Sequence, residues 1–87
     1  MHVIIVEPAA LVDVNAFQGT LNIVATNWYR IAPASWVVVS VYTAQQLYDL
    51  LLVHMPPNGN IFVARFDPRD RQGWMPNKFW AWLRQQV

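Results

Sequence analysis

The chain has 87 residues, of which 55% are hydrophobic and 13% charged, with a formal net charge of +1 and no cysteine. That length supports one domain, and the apolar share excludes a disordered chain. The absence of cysteine excludes disulfide scaffolds, thiolate metal sites and cysteine nucleophiles.

"HVIIVE" (2–7) is a short apolar run closed by Glu7-Pro8 and predicts a buried strand. Asp13 is placed to cap a helix running to about Thr26, with Val14, Phe17, Leu21 and Val24 on one face. "NWYRIA" (27–32) and "SWVVVSVY" (35–42) are β-branched and aromatic, and they flank Pro33-Ala34 as a hairpin. Thr43 followed by Gln46 has the form of a capping box for a helix over 44–54, whose apolar face holds Leu47, Leu50 and Leu51. "PPNGN" (56–60) predicts a turn, "NIFVARF" (60–66) a fourth strand and "DPRDRQG" (67–73) a polar loop. Pro76 suits the start of a last helix over 76–86.

The resulting order, β-α-β-β-α-β with an added C-terminal helix, is the α+β ferredoxin-like arrangement: one antiparallel sheet with two helices on one face, in a single domain over 1–87. Such a fold leaves the second sheet face bare. If Val37, Val39 and Val41 meet the helices, Trp36, Val38 and Tyr42 lie on the bare face, and Trp28 and Arg30 extend it. That face is too apolar for water. The tail "GWMPNKFWAWL" (73–83), with Trp74, Trp80 and Trp82, is its expected cover, either on its own sheet or on a second copy's. The alternative is that these tryptophans are ordinary core residues.

Chemistry leaves few marks. The three glycines are too scattered for a phosphate loop, and Ser35 and Ser40 sit in or beside a strand with no base nearby in sequence. His2 and His54 share no metal-ligand spacing, and His54 suits the end of its helix, so no catalytic residue is assigned and no cofactor is expected. Glu7, doubled by dimer symmetry, is the one candidate ligand for a hard cation such as Mg²⁺.

Charge is unevenly placed. Residues 60–87 carry Arg65, Arg69, Arg71, Lys78 and Arg84 against Asp67 and Asp70. Arg65, Arg69, Arg71, Trp74 and Lys78 therefore form the candidate binding set: arginine forks recognise phosphate or carboxylate, and an adjacent tryptophan stacks. The plain alternative is a solvated loop with weak local ion pairs.

"SWVVVSVYTAQQLYDLL", "NIFVARFD" and "GWMPNKFWAWL" together resemble the small bacterial proteins labelled SinR-like, over roughly residues 28–83. That group is similar in fold to the ferredoxin-like small subunit of the CRISPR adaptation machinery. The resemblance implies dimerisation and, for some members, a metal-dependent nuclease whose ligand is an aspartate ending the first strand. Glu7 stands at that position here.

The expectation is a non-catalytic homodimer that binds a protein or nucleoprotein partner. One version is a mobile-element inhibitor of a CRISPR-type defence complex. The alternatives are a metal-dependent endonuclease with paired Glu7 side chains, and a nucleic-acid-binding module. No apolar run reaches the roughly 18 residues of a membrane span, and the first ten residues lack the form of a signal peptide, so a cytoplasmic chain with no membrane partner is expected.

Overall fold

A computed structural model describes residues 1–87. Four strands, β1 (His2–Glu7), β2 (Asn27–Ala32), β3 (Ser35–Val39) and β4 (Asn60–Arg65), form one sheet in the order β2-β3-β1-β4. Every neighbouring pair is antiparallel. With α1 (Val14–Val24), α2 (Ala44–Leu51) and α3 (Asn77–Gln85), this is the ferredoxin-like α+β arrangement with a C-terminal helix.

Local signals start and stop these elements. Asp13 Oδ1 accepts the Ala16 N–H at 3.1 Å and so caps α1. At α2 the capping box is complete: Thr43 Oγ1 accepts from the Gln46 N–H, and Gln46 Oε1 accepts from the Thr43 N–H. Pro76 precedes α3 as its cap residue rather than lying within its first turn, and its carbonyl takes the Phe79 N–H. The apolar spacing does not mark the short 3₁₀ segment Ala9–Leu11, and the helix expected over 44–54 is α-helical to Leu51 and closes as a 3₁₀ turn, Leu52–His54. Before β4, Asn58 adopts φ 57°, a left-handed conformation that asparagine tolerates. Gly59 follows, where an added Cβ would lie 2.6 Å from Pro56 Cγ and 2.9 Å from the Glu7 carbonyl oxygen. Only glycine fits there.

The main core lies between the sheet and the pair α1–α2. Ile4 and Val6 of β1 and Trp36 and Val38 of β3 meet Phe17, Leu21 and Val24 of α1 and Leu47 and Leu51 of α2. This reverses the expected parity of β3. Trp36 is 0% exposed, stacked on Phe17 with ring centroids 4.6 Å apart, and its indole N–H donates to Gln18 Oε1 at 3.1 Å. Trp28 is half-buried against the same core, and its N–H reaches Asn22 Oδ1 at 2.9 Å. Buried indoles need a partner for that N–H, and Gln18 and Asn22, one helical turn apart on α1, supply one each. Neither Trp28 nor Trp36 therefore belongs to an uncovered face or a dimer surface. Tyr42 does not belong to the sheet either, because β3 ends at Val39.

Val37 lies on the other face and forms a second, smaller core with Phe79 and Leu83 of α3. Tyr29, Ile31, Trp80 and Trp82 pack around it. The tail thus covers its own sheet, as one of the two expected arrangements had it.

The two cores give a direct test of how the tryptophans divide. Trp36→Ala removes a fully buried, stacked ring and is expected to cost about 3–5 kcal/mol. Trp74 is 100% exposed, and Trp74→Ala is expected to change stability by less than about 0.5 kcal/mol. Urea unfolding of both variants beside the parent checks this, and comparable losses would place Trp74 in a packed environment.

Candidate functional site

The candidate site is the half of the open sheet face that α3 leaves bare, together with the loop that leads into that helix. In the strand register, Ile5 stands opposite Phe62 and Val3 opposite Ala64, all on the face shared with Val37. Ile5 is 43% and Phe62 59% exposed, so apolar side chains remain in water where a full second layer over this face would bury them.

The loop 66–76 is held at both ends. At its start the Phe66 N–H donates to the Met1 carbonyl at 2.9 Å. The next residues form a turn, with Asp70 N–H on the Asp67 carbonyl at 3.1 Å and Arg69 N–H on Asp67 Oδ1 at 2.9 Å. That backbone hydrogen bond holds the Asp67 carboxyl below its usual range, with the Arg69 charge adding to it. Arg69 Nε also meets Asp67 Oδ1 at 3.5 Å, an exposed pair of the kind that contributes little to folding. Arg71 Nη1 donates to the Pro68 carbonyl at 3.0 Å. These contacts fold the loop upon itself and leave most of the arginine donors directed to solvent.

Between this loop and α3 lies a groove of about 290 Å³. Phe79 and Leu83 are buried in its floor, with Ile31, Phe66 and Met75 half-buried beside them, while Asp70 and Arg71 stand exposed at its rim. Of the five predicted binding residues, Arg71 alone lines the groove. Trp74 projects fully into solvent nearby in the chain, Lys78 is exposed on α3, and Arg65 is exposed at the end of β4. Trp80, predicted as a sheet cover, also lines the groove, and Trp82 packs on Tyr29 at 5.6 Å. The floor residues escaped the sequence reading, although Phe79 and Leu83 share the i, i+4 spacing of one helical face.

Glu7 is exposed at the end of β1, and its Oε1 accepts from Asn60 Nδ2 at 3.1 Å. No group of three or more histidine or acidic side chains is gathered around it or elsewhere in the chain. A hard cation at Glu7 would thus depend on ligands from outside one protomer, since such ions take six or more oxygen donors. His54, near the end of the second helical segment, shares a 2.7 Å hydrogen bond with Thr20 Oγ1 and ties that segment to α1. No helix is long and apolar enough to cross a membrane.

The chain has no match among protein-family models, curated proteins or solved structures.

One titratable group is buried without chemistry around it. His2 is 1% exposed and on the helix-facing side of β1, and neither ring nitrogen has a hydrogen-bond partner. Burial first, then the N-terminal ammonium and Arg65, push its pKa below 6.5. The folded state therefore binds a proton less readily than the unfolded one. Stability is full above about pH 6.5 and falls as pH drops from there toward the lowered folded value. A lower urea midpoint at about pH 5.5 than at about pH 7.5 is expected, with His2→Leu flattening the difference. An unchanged slope in that variant would trace the pH dependence to other groups.

Proposed function

We propose that this chain is a non-catalytic interaction module that pairs with itself and binds a protein or nucleoprotein partner through its basic C-terminal region. The observation that carries the reading is Trp74, 100% exposed in a self-braced loop with Arg69 and Arg71. A large apolar ring in water has no folding role to explain it, and tryptophan beside arginine is the composition of binding hot spots. Loops carried on a rigid sheet are the common place for recognition. Self-association draws on Ile5 and Phe62, whose exposure on a bare sheet face is relieved by a second copy.

The narrower version, a mobile-element inhibitor of a CRISPR-type defence complex, draws on small size and fold analogy alone. Arginine forks that engage either carboxylates or phosphates suit a protein or a nucleoprotein surface equally.

Two measurements test the reading. Sedimentation at micromolar concentration is expected to give a dimer of the 10.1 kDa chain, and Phe62→Glu is expected to shift it toward monomer. Arg69→Glu combined with Arg71→Glu is expected to weaken partner capture at least tenfold while leaving the thermal midpoint nearly unchanged. Undiminished capture by the folded double variant would return the loop to a plain solvated turn. Cleavage of RNA or DNA with Mg²⁺ that disappears in Glu7→Ala would replace the reading with the endonuclease one.

A further inference from the structure

We infer that the groove between the 67–73 loop and α3 binds an acidic peptide segment of a partner protein through one bulky apolar side chain. This rests on the interaction-module reading and names the chemistry of its partner.

Shape gives the first half of the inference. The groove holds about 290 Å³, at the bottom of the roughly 300–1,000 Å³ range of small-molecule sites. That space takes one or two side chains rather than a cofactor. Its floor is aliphatic and aromatic, from Ile31, Phe66, Met75 and Leu83, and Leu83 is only 1% exposed. An apolar side chain entering there finds a surface already anchored to the second core through Phe79 and Val37. The floor is preformed, so little ordering cost attends binding.

Charge gives the second half. Arg69 and Arg71 lie on the loop and Lys78 at the start of α3, against Asp67 and Asp70, while Arg65 stands opposite His2 on the helix-facing side of the sheet. Arg69 already pairs with Asp67, whereas Arg71 makes a single hydrogen bond, to the Pro68 carbonyl, from a guanidinium with five N–H donors. Arg71 is thus a free fork at the rim of an apolar hollow, placed to take a carboxylate flanking the inserted side chain. A nucleic-acid strand fits less well. At about 290 Å³ the hollow seats one or two apolar side chains, whereas a nucleic-acid strand is gripped along a groove that spans several nucleotides.

The second hollow of the molecule shows the contrast. It is about 350 Å³, lies between α2 and β4, and is lined by Ala44, Gln45, Tyr48 and Ile61 among others, with no charged group. It has room but nothing to select a partner.

Fluorescence anisotropy with a labelled acidic peptide, Asp-Glu-Asp-Leu-Phe-Asp-Glu-Asp, tests the inference on the full chain. Saturable binding is expected, weakened about tenfold or more by Arg71→Glu and by Met75→Gln. Circular dichroism confirms that each variant is folded, and Met75→Gln keeps the test usable if a harsher floor change does not fold. A matched peptide with Ala-Ala in place of Leu-Phe is expected to bind at least tenfold more weakly. Equal binding of the two peptides would overturn the inference, since charge alone would then suffice. No saturable binding of the Leu-Phe peptide would also overturn it, as would Arg71-dependent binding of a thymidine oligonucleotide in its place. The failures separate cleanly. If the Arg69 and Arg71 double variant loses its partner while the peptide never binds, the interaction module stands and this groove is not its contact.

Discussion

Trp36 decides how the sheet is laid. Its ring fills the space under α1 against Phe17, and its N–H finds Gln18, so the largest side chain of β3 is both buried and satisfied. Side chains alternate along a strand, so fixing Trp36 toward the helices fixes every other position in the sheet through the ladder. Ile4, Val38 and Trp28 follow it inward, and Val37, Tyr29, Ile5 and Phe62 are turned to the opposite face. A one-residue slip would bring Val37 under α1 and leave a cavity of most of an indole, at a cost of several kcal/mol. The second face is apolar because the first face is secured in this way, and α3 exists to deal with the consequence.

α3 deals with half of it. Phe79 meets Tyr29 edge-on at 5.5 Å, Trp82 lies 5.6 Å from the same ring, and Leu83 closes over Val37. A nine-residue helix spans too little sheet to shield four strands, so β1 and β4 keep Ile5 and Phe62 exposed. The loop that delivers α3 must cross from β4 at one edge of the sheet toward β2 at the other. That crossing places arginines beside an apolar hollow. Surplus apolar surface and a charged loop thus meet where a short tail crosses the second sheet face.

The sequence made the elements readable because their signals are local. Asp13, the Thr43–Gln46 pair, the Pro33 hairpin and Pro76 mark ends, and Phe17, Leu21 and Val24 mark a face. The parity of β3 was not readable, since "SWVVV" is apolar on both sides and alternation carries no sign. Only the polar partners on α1 break the tie: Gln18 and Asn22, one turn apart along the margin of the apolar face, take the indole N–H groups. The candidate site was half legible for the same reason. Arg71 and Trp80 stand out by composition, whereas Ile31 and Phe66 reach the groove from different strand ends and share no spacing with it. His2 lies within the expected buried strand, 2–7, but the lack of a hydrogen-bond partner for its ring was not readable, because that is set by tertiary packing.

Building the groove from the same helix that completes the second core makes any binding there depend on the docking of that helix. Phe79 and Leu83 hold α3 to Val37 and Tyr29, and their inner neighbours form the groove floor. If α3 lifts, the floor is lost together with Trp80, whose ring lines the groove. A terminal helix docked on one small core opens more readily than the central strands, whose ladder holds the larger one. Anything that occupies the groove therefore binds only the docked form and raises the free energy of lifting α3 by mass action. A partner would tighten the tail on its sheet, and a substitution at Tyr29, remote from the rim, would weaken binding by loosening the helix that makes the site.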